Sequence, residues 1–185
     1  MSRFLNQQYQ SLEAYTPGEQ PRDQQYIKLN TNESPYPPAP SVVEAMTAEQ
    51  VELLRLYSDP TAKNLKEKLA GLYGVKPENV FVSNGSDEVL NFSFMAFGGG
   101  GVVFPDISYG FYEVYAELYA INAEKIPLES DFFVDYRKYC GKNKLVVIAN
   151  PNAPTGMTIS VRQIEEIVKT NPDAVVVIEI GRAHV

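Results

Sequence analysis

The segment Lys144–Gly156, KLVVIANPNAPTG, decides how the rest of the chain is read. Leu145 to Ala149 form a short apolar run with no polar alternation, the pattern of a strand buried on both faces. The turn that follows is built differently. Pro151 and Pro154 fix φ, Gly156 ends the turn, and Asn150 and Asn152 bring amide groups to the strand's C-terminal end. Moving outward, the same alternation of apolar run and amphipathic stretch recurs. NVFVS (79–83) reads as a strand and SDEVLNFSFMAF (86–97) as a helix. GVVF (101–104), AEKIPL (123–128) and AVVVI (174–178) read as strands, and YGFYEVYAELYA (109–120) and SVRQIEEIVKT (160–170) as helices. Strands alternating with helices imply right-handed crossovers and a mostly parallel sheet, so the expected fold class is α/β.

Two helices are expected upstream of this region, SVVEAMTAEQVELLRL (41–56) and TAKNLKEKLAGLYG (61–74). The second has Leu65, Leu69 and Leu72 on one face and Gly74 as its C-cap. Residues 1–40, rich in Gln, Pro and Tyr, read as an arm that lies over something else, and residues 41–178 as the main domain.

Composition narrows the function. The chain has 185 residues, 44% of them apolar, and a net charge of −7, which argues against a nucleic-acid or anionic-membrane partner. Cys140 is the single cysteine, so no internal disulfide is expected and a metal cluster is not indicated. No apolar run is long enough to span a membrane, and the N-terminal MSRFLNQQYQ lacks the apolar core of a signal peptide. The expected location is cytoplasmic.

In a parallel sheet, ligands gather at the C-terminal ends of the strands. Three post-strand segments therefore matter. In SNGSDE (83–88), Gly85 permits a tight turn, and Ser86 and Asp87 open a helix whose free N–H groups suit a phosphate. The same residues also read as a plain N-cap. In PDISYGFY (105–112), Tyr109 stands where it can stack on a planar ring, or pack in the core with Tyr112 and Tyr115. NPNAPTG is the third polar turn on that edge.

Taken together and in order, LNTNESPYPPAP, YSDP, NGSDEVL, PDISYGFY and NPNAPTG resemble the fold-type-I aminotransferases that use pyridoxal 5'-phosphate, and most nearly those acting on histidinol phosphate. The resemblance implies roles. Gly85, Ser86 and Asp87 would bind the cofactor phosphate, Tyr109 would stack on its ring, and Asn152 would lie near the ring hydroxyl. Tyr57 would reach the cofactor phosphate of a second subunit in a homodimer, and Asn32 and Tyr36 would lie near the substrate. The family's turn carries a second central Asn where this chain has Ala153, so that bond falls to Asn152 or another donor, or is absent. The strand AVVVI would be followed by an Asp that pairs with the ring nitrogen. Here Glu179 stands at that position. The lysine that bonds the cofactor covalently is not found in this chain, so no catalytic residue is assigned.

The last seven residues, EIGRAHV (179–185), can be encoded by a string that, after its first base, matches the start of a common sequencing-library adapter. They are expected to be a non-native tail, and His184, the only histidine, is given no role. The resemblance implies amino-group transfer between a histidinol-phosphate-like donor and 2-oxoglutarate by the whole protein, with this chain alone inactive. A threonine-phosphate decarboxylase of similar fold and a non-catalytic fragment are the alternatives.

Overall fold

The computed structural model describes Tyr9, Leu12, Ile27, Ser34 and residues 36–181. Asn32 and residues 182–185 lie outside the described residues. The chain divides into two units, Met1–Ala14 with Ser83–Val185, and Tyr15–Val82.

The larger unit holds a sheet of four parallel strands, β1 (Val102–Pro105), β2 (Ala123–Ile126), β3 (Leu145–Ala149) and β4 (Val176–Glu179), in the order β2-β1-β3-β4. Alternate residues of the central strands point to opposite faces. Val102, Phe104, Leu145 and Val147 pack on one side with Leu90, Phe94, Tyr112, Tyr115 and Ala116. Val103, Val146 and Ile148 pack on the other with Ile126, Val134, Tyr139, Ile159 and Ile167. Every residue of β1 and β3 is buried, which is why their sequences show no polar alternation.

The helices supply the outer layers. In the larger unit, α4 (Ser86–Phe97) buries Leu90, Ser93 and Phe94, and α5 (Phe111–Leu118) buries Tyr112, Tyr115 and Ala116. The apolar residues in each set recur at helical spacing. On the opposite face α6 (Val161–Thr170) buries Ile167. Its start is a capping box in which Ser160 and Gln163 satisfy each other's backbone N–H groups. The placement of α5 and α6 follows from handedness. β1 to β2 steps one way across the sheet and β3 to β4 the other, so right-handed crossovers put their helices on opposite faces. The switch in direction falls between β1 and β3, and in open α/β sheets ligands bind at the C-terminal ends of the strands at such a point.

Two expectations need correction. NVFVS does not join the sheet: Pro77–Asn79 is a short 3₁₀ turn and residues 80–83 are irregular. A β-prone segment becomes a strand only against a neighbour to bond, and β1–β4 are its only sheet candidates among the described residues. The single helix expected over 41–56 is two, α1 (Pro40–Ala45) and α2 (Ala48–Leu53). Thr47 interrupts it by capping Gln50 N–H, since a hydroxyl there competes for the backbone.

In the smaller unit, α3 (Lys63–Tyr73) ends at Gly74 in the left-handed conformation, as expected. Its start explains the YSDP stretch. Asp59 accepts from the N–H groups of Thr61 and Lys63 and from the Thr61 hydroxyl, and these bonds hold its carboxyl below the usual carboxylate range. The expected apolar face is less covered: Leu65 and Leu72 are exposed and Leu69 is half-buried. No helix among the described residues is long and apolar enough to cross a membrane.

Candidate functional site

The site is assembled from the segments that follow β1, β3 and β4 and from the start of α4. Gly85 is the N-cap of α4, at φ 81° and ψ 179°, a conformation open essentially to glycine alone. No side chain caps this helix, unlike α2 and α6. Its first N–H groups, those of Ser86 and Asp87, are among the ones a helix cannot satisfy internally. A Cβ built on Gly85 would meet no heavy atom within 4 Å, so the turn faces open space. The carboxylate of Glu88 is turned back onto Asn84 N–H at 3.0 Å.

Side chains from the segment before α5, from α5 and from β4 close around this helix start. Tyr109 Oη donates to Asp87 Oδ1 at 2.9 Å, and Tyr115 Oη donates to the Asp87 carbonyl at 3.1 Å. Glu179 ends β4, and each of its carboxylate oxygens is held. Tyr112 Oη donates to Oε2 at 2.5 Å and Ser86 Oγ to Oε1 at 3.3 Å. The Glu179 carbonyl accepts Asn150 N–H at 2.7 Å, which ties β4's end to β3's. The Tyr109 ring stacks on Phe111, with centroids 5.6 Å apart, and meets Tyr112 edge-on at 5.7 Å.

The β1 and β3 turns are joined by Asn152, which is 1% exposed. Its amide donates to the Ile107 carbonyl at 3.0 Å and to Thr155 Oγ1 at 3.2 Å, and its Oδ1 accepts from Ser108 Oγ at 2.8 Å. Asn150 makes two bonds to the backbone of Ile159. Both amide hydrogens of Asn152 are engaged, one across the turns on the Ile107 carbonyl and one on Thr155 within its own turn. The reason is its depth, since a buried amide must satisfy itself locally.

The structure thus brings Ser86, Asp87, Tyr109, Asn152 and Glu179 to one edge of the sheet. Tyr36 and Tyr57 belong to the smaller unit and are exposed, Tyr57 fully. Sequence reasoning passed over two groups, Tyr112 and Ser108. Tyr112 lies in the first turn of α5, three residues beyond Tyr109, which precedes that helix. Ser108 carried no signal of its own. Glu179, the first residue of the expected tail, is also the last residue of β4.

Electrostatics follow from the burial of the tyrosines. Burial first, then the neighbouring carboxylate, raises the phenols of Tyr109 (Asp87) and Tyr112 (Glu179) well above the ordinary tyrosine range. Burial, then the Asp87 charge, pushes Tyr115 up to about 12. A phenol whose pKa is raised by folding stabilises the fold fully below its unfolded pKa of about 10, and loses that contribution as pH rises through the folded value. For Tyr115 the window runs from about 10 to about 12. Ultraviolet titration should show part of the tyrosine signal rising only above the ordinary tyrosine range. Tyr109, Tyr112 and Tyr115 should ionise later, with loss of structure. Ionisation of all tyrosines together near the ordinary value would contradict the arrangement.

Known proteins share this fold. Residues 24–179 match the family described as aminotransferase class I and II. The chain is 49% identical over 181 residues to the histidinol-phosphate aminotransferase of Brachyspira hyodysenteriae, covering 97% of this chain and 51% of that protein. It is 51% identical over 181 residues to the enzyme of the same name from Clostridium acetobutylicum, again covering 97% and 51%. The chain thus spans about half the length of the curated relatives it matches. Among solved structures, histidinol-phosphate aminotransferase from Sinorhizobium meliloti in complex with pyridoxal-5'-phosphate superposes with a TM-score of 0.72 at 24% identity, covering 80% of this chain and 42% of that one. The parallel four-stranded sheet is accordingly part of the aminotransferase fold, and the chain belongs to the class I and II aminotransferases.

Proposed function

We propose that this chain is the cofactor-cradling half of a pyridoxal 5'-phosphate-dependent aminotransferase that moves an amino group between histidinol phosphate, or a close analogue, and 2-oxoglutarate. One observation carries the reading. The uncapped start of α4, the Tyr109 ring and the Glu179 carboxylate meet at the C-terminal edge of the sheet, beside the point where the strand order reverses. The residues fit such a group. Gly85 leaves open space above an unsatisfied helix start, a setting for a phosphate. The tyrosines offer aromatic surface, and a carboxylate stands at the end of β4.

When bound, pyridoxal phosphate supplies the electron sink that amino transfer needs. The protein's part is binding and orientation. Ser86 and Asp87 hold phosphate through backbone N–H groups, and Tyr109 flanks the ring. Glu179 places a negative charge near the ring nitrogen, and Asn152 keeps the β1 and β3 turns in register. The names of the relatives point to histidinol phosphate as substrate. On this reading Tyr57 serves the partner subunit of a homodimer, Asn32 and Tyr36 face the substrate, and the enzyme is cytoplasmic. Residues 179–185 are read as a tail in which Glu179 takes the place of the family's Asp.

A polypeptide that continues this chain to the length of its relatives tests the reading. It should transfer an amino group from histidinol phosphate to 2-oxoglutarate and behave as a dimer in light scattering. Release of carbon dioxide from phosphothreonine without amino transfer would replace this reading with the decarboxylase.

A further inference from the structure

Residues 83–88, SNGSDE, are rich in the side chains that close helix starts, yet no side chain caps α4. The hydrogen bonds show where those side chains go instead. Ser83 Oγ donates to the Gly85 carbonyl at 2.8 Å, and Glu88 Oε2 accepts Asn84 N–H at 3.0 Å, ahead of the helix. Asp87 Oδ1 accepts the Tyr109 phenol at 2.9 Å. The last bond has the largest consequence. Asp87 is the second residue of α4, and a carboxylate in a helix's first turn is drawn to the unsatisfied N–H groups and the positive end of the dipole. It is a built-in competitor for any anion that arrives there.

We infer that the Tyr109 hydroxyl is a positioning group, which draws the Asp87 carboxylate away from the start of α4 and so keeps the first N–H groups of that helix for the phosphate of a bound cofactor. The second clause rests on the function proposed above; the first does not. Different phenols hold the two ends of Asp87. Tyr115 Oη, carried on a buried ring, bonds the Asp87 carbonyl at 3.1 Å and fixes the backbone. That leaves the exposed carboxylate as the part free to turn, and Tyr109 decides where it turns. The Tyr109 ring is placed by its contacts with Phe111 and Tyr112, at 5.6 and 5.7 Å, so a Phe in its place keeps the aromatic surface. Stacking on a cofactor ring needs only that surface; the hydroxyl needs another reason to be there. Burial, then the bond to Asp87, keeps the phenol protonated, so it remains a donor.

The test uses the ¹⁵N-labelled 185-residue chain and reads the amide resonances of Ser86 and Asp87. Without ligand, Tyr109→Phe frees the carboxylate, so on acid titration both resonances should move further than in the parent chain. The added movement should vanish when Asp87→Ala is combined with Tyr109→Phe. An unchanged response in Tyr109→Phe overturns the inference. Inorganic phosphate is then titrated into each protein at constant ionic strength. Tyr109→Phe should weaken its binding about three- to five-fold, whereas Asp87→Ala, which removes the competitor, should strengthen it by about as much. With Asp87→Ala in place, Tyr109→Phe should change nothing further. A bond that merely braces the helix start predicts the opposite sign for Asp87→Ala, because that variant breaks the same bond. Phosphate binding weakened by both single variants therefore overturns the role toward the anion. If Tyr109→Phe does not fold, Asp87→Asn takes its place: it keeps an acceptor for the phenol and removes the charge, and phosphate bound no tighter than by the parent counts against the competition. Amides that respond to acid as expected, in a parent chain that ignores phosphate, leave the diversion of Asp87 standing and fail the phosphate cradle of the proposed function instead.

Discussion

Mixed with pyridoxal phosphate, an amino donor and a 2-oxo acid, the 185-residue chain is expected to turn over no faster than the free cofactor. The reason lies in its lysines. Amino transfer by this family needs an amine at the sheet edge that can hold the cofactor covalently and then move a proton. Lys125, Lys138, Lys142, Lys144 and Lys169, the lysines of the sheet-bearing unit, are each paired with a carboxylate: Glu113, Glu129, Glu124 twice, and Glu165. None stands in the segments that build the site, residues 84–88, 106–112 and 150–156, or at Glu179. A positioned proton-transfer group typically contributes on the order of 10²- to 10⁴-fold, and the described residues offer no amine for that task at that edge. Binding is a separate matter. The helix start and the aromatic surface can hold pyridoxal phosphate weakly without that amine, so saturable binding with no turnover is the expected pair of results. Turnover above free pyridoxal phosphate, lost again when the protein is heat-denatured, would show that an amine outside the described residues, or one of the paired lysines, does the work.

The division between what could be read early and what could not follows a physical line. Strands β1, β3 and β4 and helices α4, α5 and α6 were legible because burial on one or two faces leaves a periodic trace in the residues themselves. The convergence of the turns after β1 and β3 was legible because a parallel sheet sends every strand end to the same edge, whereas NGSDE reaches that edge as the start of α4 and not after a strand. NVFVS misled because strand formation depends on a neighbour, which local composition does not record. The helix break at Thr47 was signalled only by a single hydroxyl. At the site, the aromatic beyond β1 and the glycine before α4 could be singled out by position. That Asn152 turns inward to Ile107 and Ser108, and that Tyr112 reaches Glu179 across the sheet, depends on depth and register between segments 44 and 67 residues apart. No pattern within either segment encodes those distances.

The other large effect is expected at Gly85. Its φ of 81° and ψ of 179° lie in a region that costs a residue with a side chain of order 1–3 kcal/mol, and Val, branched at Cβ, sits at the costly end. The space around the position separates two consequences. A Cβ there meets no protein atom within 4 Å, so Gly85→Val does not clash with the fold, and its stability loss should stay within that backbone strain. The same Cβ adds bulk to the residue that precedes the first N–H groups of α4, where an anion has to approach closely to use them. Affinity for pyridoxal phosphate should therefore fall by about ten- to a hundred-fold, with the melting temperature lowered by only a few degrees. Ser86→Ala removes an exposed hydroxyl bonded to Glu179 at 3.3 Å and leaves the backbone N–H in place, so its affinity should change by no more than about three-fold. The comparison distinguishes two kinds of phosphate site. If Ser86→Ala weakens binding more than Gly85→Val does, the hydroxyl rather than the helix start is the recognising group, and the backbone cradle is wrong. If inorganic phosphate competes with pyridoxal phosphate for the parent chain but no longer for Gly85→Val, the valine has blocked the phosphate's own seat, and that seat is the start of α4.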